Sequence, residues 1–370
     1  MGGRACPATT ATIRRIRTHA NRTREIIIVA TTDSAEQKTR SRCIRFDRSG
    51  GPEVLVLGER ALSDPAPGEV RIRVTAAGLN RADLLQRMGR YPTPPGFDES
   101  IPGLEYAGVV EATGPDCFLR SIGDPVMGIV GGEGYSERLH VPERETIRVP
   151  ADMPLLEAGA IPEAYLTAWD ALERKAGLRS GETVLIHAVG SGVGTAALQL
   201  ARSVGARTVG TSRTPEKVGR ALALGLDVGL VAGDHASDDT TWSERVLAEV
   251  GPVDVILDLV GASYLAGNQA VLGRHARWMV VGVPGGRKAE IDLRTLMSRR
   301  ARIEGTVLRA RPPEEKALLA REFERVVVPR FERGLLQPVV GKVFPAEEAP
   351  EAHRLMEANR NWGKILLRWD

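Results

Sequence analysis

Between residues 183 and 211 the chain reads strand, glycine turn, helix, strand, and few folds admit that order. The apolar run Thr183-Val-Leu-Ile-His187 leads into Ala-Val-Gly-Ser-Gly-Val-Gly194. A helical stretch with Ala196, Ala197, Leu198, Leu200 and Ala201 then runs to about residue 204, before a second strand at 207–211. A crossover of this length suits a parallel strand pair, so the segment is a βαβ unit. Such a turn sets backbone N–H groups and residues without a Cβ at a helix N-terminus, where a dinucleotide pyrophosphate can approach closely. The spacing of Gly190, Gly192 and Gly194 departs from GxGxxG, so the βαβ setting carries the reading more than the pattern does. Gly190, Ser191, Gly192, Val193 and Gly194 are the expected phosphate-side contacts. No Ser–His–Asp order surrounds Ser191, which reads as a binder and not a hydrolase nucleophile. His187, at the end of a buried strand, reads as a satisfied core histidine.

The alternation continues with a helix near 216–224 and strands at 253–258 and 277–282, which describes an α/β doubly wound parallel sheet. Before about residue 150 the period is different. In Glu69-Val-Arg-Ile-Arg-Val-Thr75, Val70, Ile72 and Val74 share one face. Short pieces at 108–111, 125–130 and 135–141, separated by Gly and Pro, read as a barrel-like β unit. The C-terminal stretch adds helices near 314–333 and 349–357 and strands at 341–344 and 363–368. A chain of 370 residues exceeds what one core usually supports, so two domains are expected. The first 41 residues carry six arginines before Asp33 and one acid, Glu25. They read as a flexible extension, with a transit peptide or a mis-assigned start as alternatives.

The formal net charge of +3 is small and interspersed, so no nucleic-acid partner is expected. No apolar run approaches the ~20 residues that span a bilayer, so no membrane partner is expected either. Cys6, Cys43 and Cys117 form no CxxC pair and no secretory spacing, which suits a reducing compartment, by default the cytoplasm.

Cofactor choice is read at the end of the second strand of the βαβ unit. An acid there would bond the ribose of NAD and repel a 2′-phosphate. The segment Thr211-Ser-Arg-Thr-Pro-Glu-Lys217 instead offers Ser212, Arg213 and Lys217, which favours NADPH; solvated helix-start charges are the alternative reading of the two cations.

Gly78-Leu-Asn-Arg-Ala-Asp83, Gly103-Leu-Glu-Tyr-Ala-Gly108, Ser191-Gly-Val-Gly194 and Asn361-Trp-Gly-Lys364 together resemble the medium-chain dehydrogenase/reductase superfamily, and within it the zinc-free, zeta-crystallin-like NADPH:quinone oxidoreductases. The resemblance runs from about residue 42 to the end. It implies a GroES-like catalytic β-barrel domain from 42–160 and 301–370, a Rossmann NADPH-binding domain over 161–300, and a homodimer pairing sheet edges near 278–282. In zinc-dependent relatives the positions of Asn80 and Leu104 carry a ligand Cys and His, and a catalytic site takes three such ligands; with Asn and Leu there, no metal is expected. The resemblance also implies that Tyr91, in the loop Arg90-Tyr-Pro-Thr-Pro-Pro95, lies near the nicotinamide, where it orients the acceptor oxygen or donates a proton, or else only anchors the loop. Asn80 is expected to bond the acceptor or the nicotinamide ribose, or to serve the turn. Thr167, Gly282, Val283, Leu308 and Asn361 are expected to line the nicotinamide half. A family tyrosine near the adenine ribose is replaced by Ala232. The implied activity is hydride or single-electron transfer from NADPH to a quinone. A reductase of enoyl or alkenal C=C bonds, and an NADPH-binding regulatory or RNA-binding protein without turnover, are the alternatives.

Overall fold

A computed structural model describes residues 39–233 and 241–370. The 1–38 portion of the expected extension, Cys6 included, lies outside the described residues. The remainder of that extension does not: the first strand is Thr39–Arg45, paired antiparallel with Val56–Leu62.

A six-stranded parallel sheet forms one body of the molecule. Its order runs Val228–Val231, Arg207–Ser212, Thr183–Ile186, Val253–Asp258, Leu272–Val280, Arg302–Gly305. The chain steps outward in one direction from Thr183–Ile186 and then restarts on that strand's other side with Val253–Asp258, which makes their junction the topological switch point, where doubly wound sheets open a crevice at their carboxyl ends. The glycine turn leaves the sheet at this junction. The helix after it, Gly192–Ser203, buries Ala196, Ala197, Leu198, Leu200 and Ala201 against the sheet. Its N-cap is Ser191, whose Oγ accepts from the Gly194 N–H at 3.0 Å, a cap of about 1 kcal/mol.

The second body is a seven-stranded, mainly antiparallel sheet to which the last strand of the chain belongs. Lys364–Arg368 lies between Val340–Pro345 and Glu69–Gly78, and Glu69–Gly78 pairs in turn with Glu105–Thr113. The helical stretch expected over 314–333 is two helices, Pro313–Val326 and Val328–Glu332, parted where Pro329 cannot donate into a continuing ladder. One edge of the parallel sheet is Arg302–Gly305, with the expected dimer strand one position further in, and the other is Val228–Val231.

Candidate active site

The glycine turn serves two purposes in the fold. A Cβ on Gly194 would stand 2.3 Å from the Ala188 carbonyl oxygen, so glycine here lets the helix start close against the strand end. The space that a Cβ would fill on Gly190 is taken by the Trp362 ring and on Gly192 by the Lys364 side chain. Gly363 N donates to Gly190 O at 2.9 Å. The glycines therefore admit the 361–364 segment as well as leaving the helix N-terminus bare. The N–H groups of Gly192 and Val193 donate to no group among the described residues, as an anion-receiving helix start requires.

Around this turn the structure gathers cations. Lys217, in the helix Pro215–Ala223, donates from Nζ to the Asn359 carbonyl at 2.6 Å, and Arg81 donates to Asn359 Oδ1 at 2.6 Å. Burial, followed by the charge of Arg213, lowers the pKa of both Lys217 and Arg81. Arg220 stacks on Trp362 at 4.7 Å. Like charges converge at the end of Arg207–Ser212, where Ser212 is buried, with Glu216 and Glu357 close by. Gly282 and Val283 follow Leu272–Val280 at the same carboxyl edge, and Asn361 joins through the 361–364 segment. The residues present thus fit a dinucleotide. Ala232 is fully buried in the core. His187 is also fully buried, with one ring nitrogen 2.8 Å from Thr211 Oγ1 and the other 2.6 Å from Asn268 Oδ1.

On the other side of the crevice Asn80 is not free. Its Oδ1 accepts from Lys364 Nζ at 2.8 Å, and its Nδ2 donates to Glu105 Oε1 at 2.8 Å and Gly78 O at 3.3 Å. Lys364 also donates to the Leu79 carbonyl at 2.8 Å and pairs with Glu105. Both side chains of this pair are buried, at 5% and 0% exposure. Asn80 therefore holds an ion pair, and its amide is occupied by partners within the chain instead of presented to an acceptor. Leu104 is buried.

Behind Asn80 runs a buried polar chain. The Asn80 N–H donates to Asp83 Oδ2 at 2.8 Å, and so does the Tyr135 hydroxyl at 3.1 Å. Tyr135 lies 3.3 Å from His353 Nε2, and Arg87 Nη1 lies 3.2 Å from His353 Nδ1. Arg87 donates, so neutral His353 accepts at Nδ1 and carries its proton on Nε2, toward Tyr135. Burial pushes Asp83 up to about 6, against the bond from Asn80; burial and Arg87 push His353 down to about 3.

Tyr91 lies with its ring 4.8 Å from the guanidinium of Arg309. Burial raises the Tyr91 hydroxyl, while Arg309 opposes the shift. Arg309 is 6% exposed; its Nε donates to Gly131 O at 2.7 Å and its Nη2 to Gln86 Oε1 at 2.8 Å. Leu308, next to it, is buried. The loop is pinned by buried Asp170, which accepts from Thr306 Oγ1 at 2.7 Å and from Arg311 Nη2 at 2.5 Å. A depression of about 690 Å³ is lined by these same paired charges, Asp170 and Arg311 among them, and by no residue of the glycine turn. Thr167 is buried on Pro162–Trp169, one helical turn beyond Glu163.

Lys364, Glu105, Asp83, Glu163 and Arg309 escaped the reading of the sequence. Their signal is a charge set in apolar text, as in Gly-Lys-Ile-Leu-Leu and Ile-Pro-Glu-Ala-Tyr-Leu, since such charges are buried only with partners. Among the described residues no cluster of three or more His, Cys, Asp or Glu could hold a metal, and no helix is long and apolar enough to cross a membrane.

A doubly wound sheet with an anion-receiving glycine turn at its switch point, packed on a β-barrel-like body, defines an NAD(P)-binding oxidoreductase. Residues 66–151 match the model of the alcohol dehydrogenase GroES-like domain and 192–324 that of the zinc-binding dehydrogenases. The quinone oxidoreductase of Lama guanicoe is 31% identical over 330 residues, covering 88% of this chain and 97% of its own. JamJ enoyl reductase in its apo form superimposes with a TM-score of 0.79 at 26% identity, covering 89% of this chain and 99% of its own. A mycobacterial protein complexed with NADPH gives 0.78 at 28% identity, covering 89% and 100%. The chain belongs to the medium-chain dehydrogenase/reductase superfamily, in its quinone oxidoreductase-like family.

Proposed function

We propose that the protein is an NADPH-dependent, zinc-independent quinone reductase. The observation that carries the cofactor choice is the convergence of Arg213, Lys217 and Arg81 beside a strand end that bears no carboxylate. A 2′-phosphate there meets cations, whereas the ribose of NADH meets no acid to bond its hydroxyls. Arg220 on Trp362 closes the same corner. The bound nicotinamide supplies a hydride.

The chain's own residues bind and orient. The N–H groups of Gly192 and Val193 hold the pyrophosphate, with Ser191 capping the helix beneath it. Gly282, Val283, Thr167, Leu308 and Asn361 form the nicotinamide side, and Tyr91 on Arg309 faces the acceptor. Zinc independence is supported by Lys364, whose ammonium is held between Asn80, Leu79 O and Glu105. A second cation beside it would add like-charge repulsion to a position without Cys or His. An acceptor that is already electrophilic needs no Lewis acid, and a quinone is one; the enoyl reductase likeness makes a conjugated C=C acceptor the second reading.

NADPH and NADH consumption, measured in parallel with ortho- and para-quinones and with enals, tests the proposal. The expected result is NADPH-preferring turnover of quinones. Turnover of enals alone would transfer the chain to the second reading, and tight NADPH binding with no turnover would make it a binding protein.

A further inference from the structure

We propose that Glu163 is the acid that delivers the proton to the reduced acceptor, with Arg309 and Tyr91 seating the acceptor's oxygen; this rests on the quinone reductase reading above. Glu163 stands in the first turn of Pro162–Trp169, and its backbone N–H donates to Glu105 Oε2 at 2.8 Å. That bond fixes the helix start against the Lys364–Glu105 pair. Its carboxyl accepts no hydrogen bond among the described residues, and the residue is only partly buried. The charged and titratable groups that act on it come from every side: Glu105 and Lys364 from the barrel sheet, Asp83 from the helix Arg81–Arg87, and Arg309 with Tyr91 from two loops.

The two adjacent carboxyls differ in a way that suits acid chemistry. Glu105 is paired with Lys364 and bonded by Asn80 and by Glu163 N–H. Burial, and then the charge on Glu105, push Glu163 up to about 8. One of two neighbouring carboxyls thus keeps its proton at neutral pH, the division of labour expected of an acid site. Arg309 supplies the complementary charge: its Nη1 is buried and unpartnered among the described residues while Nε and Nη2 are bonded. Tyr91, raised by burial from an already high value, is the weaker acid.

A quinone that has accepted a hydride carries one phenolate oxygen and lacks one proton. Arg309 pairs with that oxygen. The Glu163 O–H bond breaks as the phenol O–H bond forms, and the Glu163 carboxylate recovers a proton from solvent. Hydride plus one proton converts quinone to hydroquinone, which balances the reaction.

Glu163→Gln, with Glu163→Asp as the conservative variant, tests the assignment. In the cofactor-free protein a protonated-carboxyl infrared band present near neutral pH, and titrating near 8, is expected to vanish in Glu163→Gln. Quinone turnover is expected to fall ~100-fold, to lose its alkaline decline, and to recover in part in Glu163→Asp, while NADPH affinity measured by tryptophan fluorescence stays within about twofold, far below one tenfold step of affinity. An active wild type whose Glu163→Gln variant keeps full rate and the same pH profile, or the same infrared band, overturns this proposal alone. A wild type idle with every quinone overturns both readings.

Discussion

Lys364 Nζ lies 2.8 Å from Asn80 Oδ1 and is paired with Glu105, so the last strand of the chain is tied to both segments on which zinc-dependent relatives carry metal ligands. The same Lys364 side chain fills the space beside Gly192. One residue therefore joins the barrel sheet, the crevice and the glycine turn.

Removing one member of this pair leaves a buried charge alone. Lys364→Met is expected to cost about 3–5 kcal/mol of stability, read as a lower urea midpoint, whereas Lys364→Met with Glu105→Gln recovers a large part of the loss. Equal losses in the single and double variants would show that the side chain contributes packing and not charge pairing.

Lys217 is held by the Asn359 carbonyl and lies among Arg213, Arg81 and Arg220. Lys217→Ala is expected to weaken NADPH by roughly tenfold, about 1.4 kcal/mol, and to leave NADH nearly unchanged. Isothermal titration with both cofactors checks this. A parallel loss for both would mean that Lys217 positions the turn without reading the phosphate.

The buried chain from Asp83 to His353 gives two opposed pH terms. Folded His353 binds its proton only near pH 3, against 6.5 when unfolded, so its stabilising term is full above about 6.5 and is lost as pH falls toward 3. Folded Asp83 binds a proton near 6, against 3.8 unfolded, so its term is present below 3.8 and is lost as pH rises through 6. His353→Gln removes the first term. Between pH ~6.5 and ~4.5 the variant should lose about 2 kcal/mol less stability than the wild type, measured as the difference between urea midpoints at the two values. Identical pH dependence in the two proteins would show that His353 is not held neutral.

The sequence carried the sheet further than it carried the site. The period switch near residue 150 and the glycine turn identified both bodies, because each repeats a local pattern that backbone geometry dictates. Val228–Val231 and Arg302–Gly305 did not stand out as strands: each has four residues, too few to show a period. Asn80 was legible as a replaced ligand, but its partner Lys364 stands 284 residues away, and no spacing rule links the two. Glu163 and Arg309 acquire their chemistry from burial and from loops that meet only after folding. The roles of Gly190 and Gly192 were legible only in part, since the Trp362 and Lys364 side chains that fill the space beside them come from the end of the chain.

The helix Leu293–Arg299 buries none of its residues, and Leu293 and Met297 are 67% and 77% exposed. It precedes Arg302–Gly305, which pairs with Leu272–Val280 on one side and, among the described residues, with no strand on the other. An open strand edge beside an apolar helix is a surface that invites a second chain. Two copies joined there would extend one sheet across both, in keeping with the homodimer that the family resemblance implies. Gel filtration with light scattering is expected to give a two-chain mass for the wild type. Leu293→Glu with Met297→Glu is expected to give a one-chain mass with an unchanged circular dichroism spectrum, because neither side chain packs in the protomer core. A one-chain wild type would sink the dimer, and a two-chain double variant would move the interface to another face.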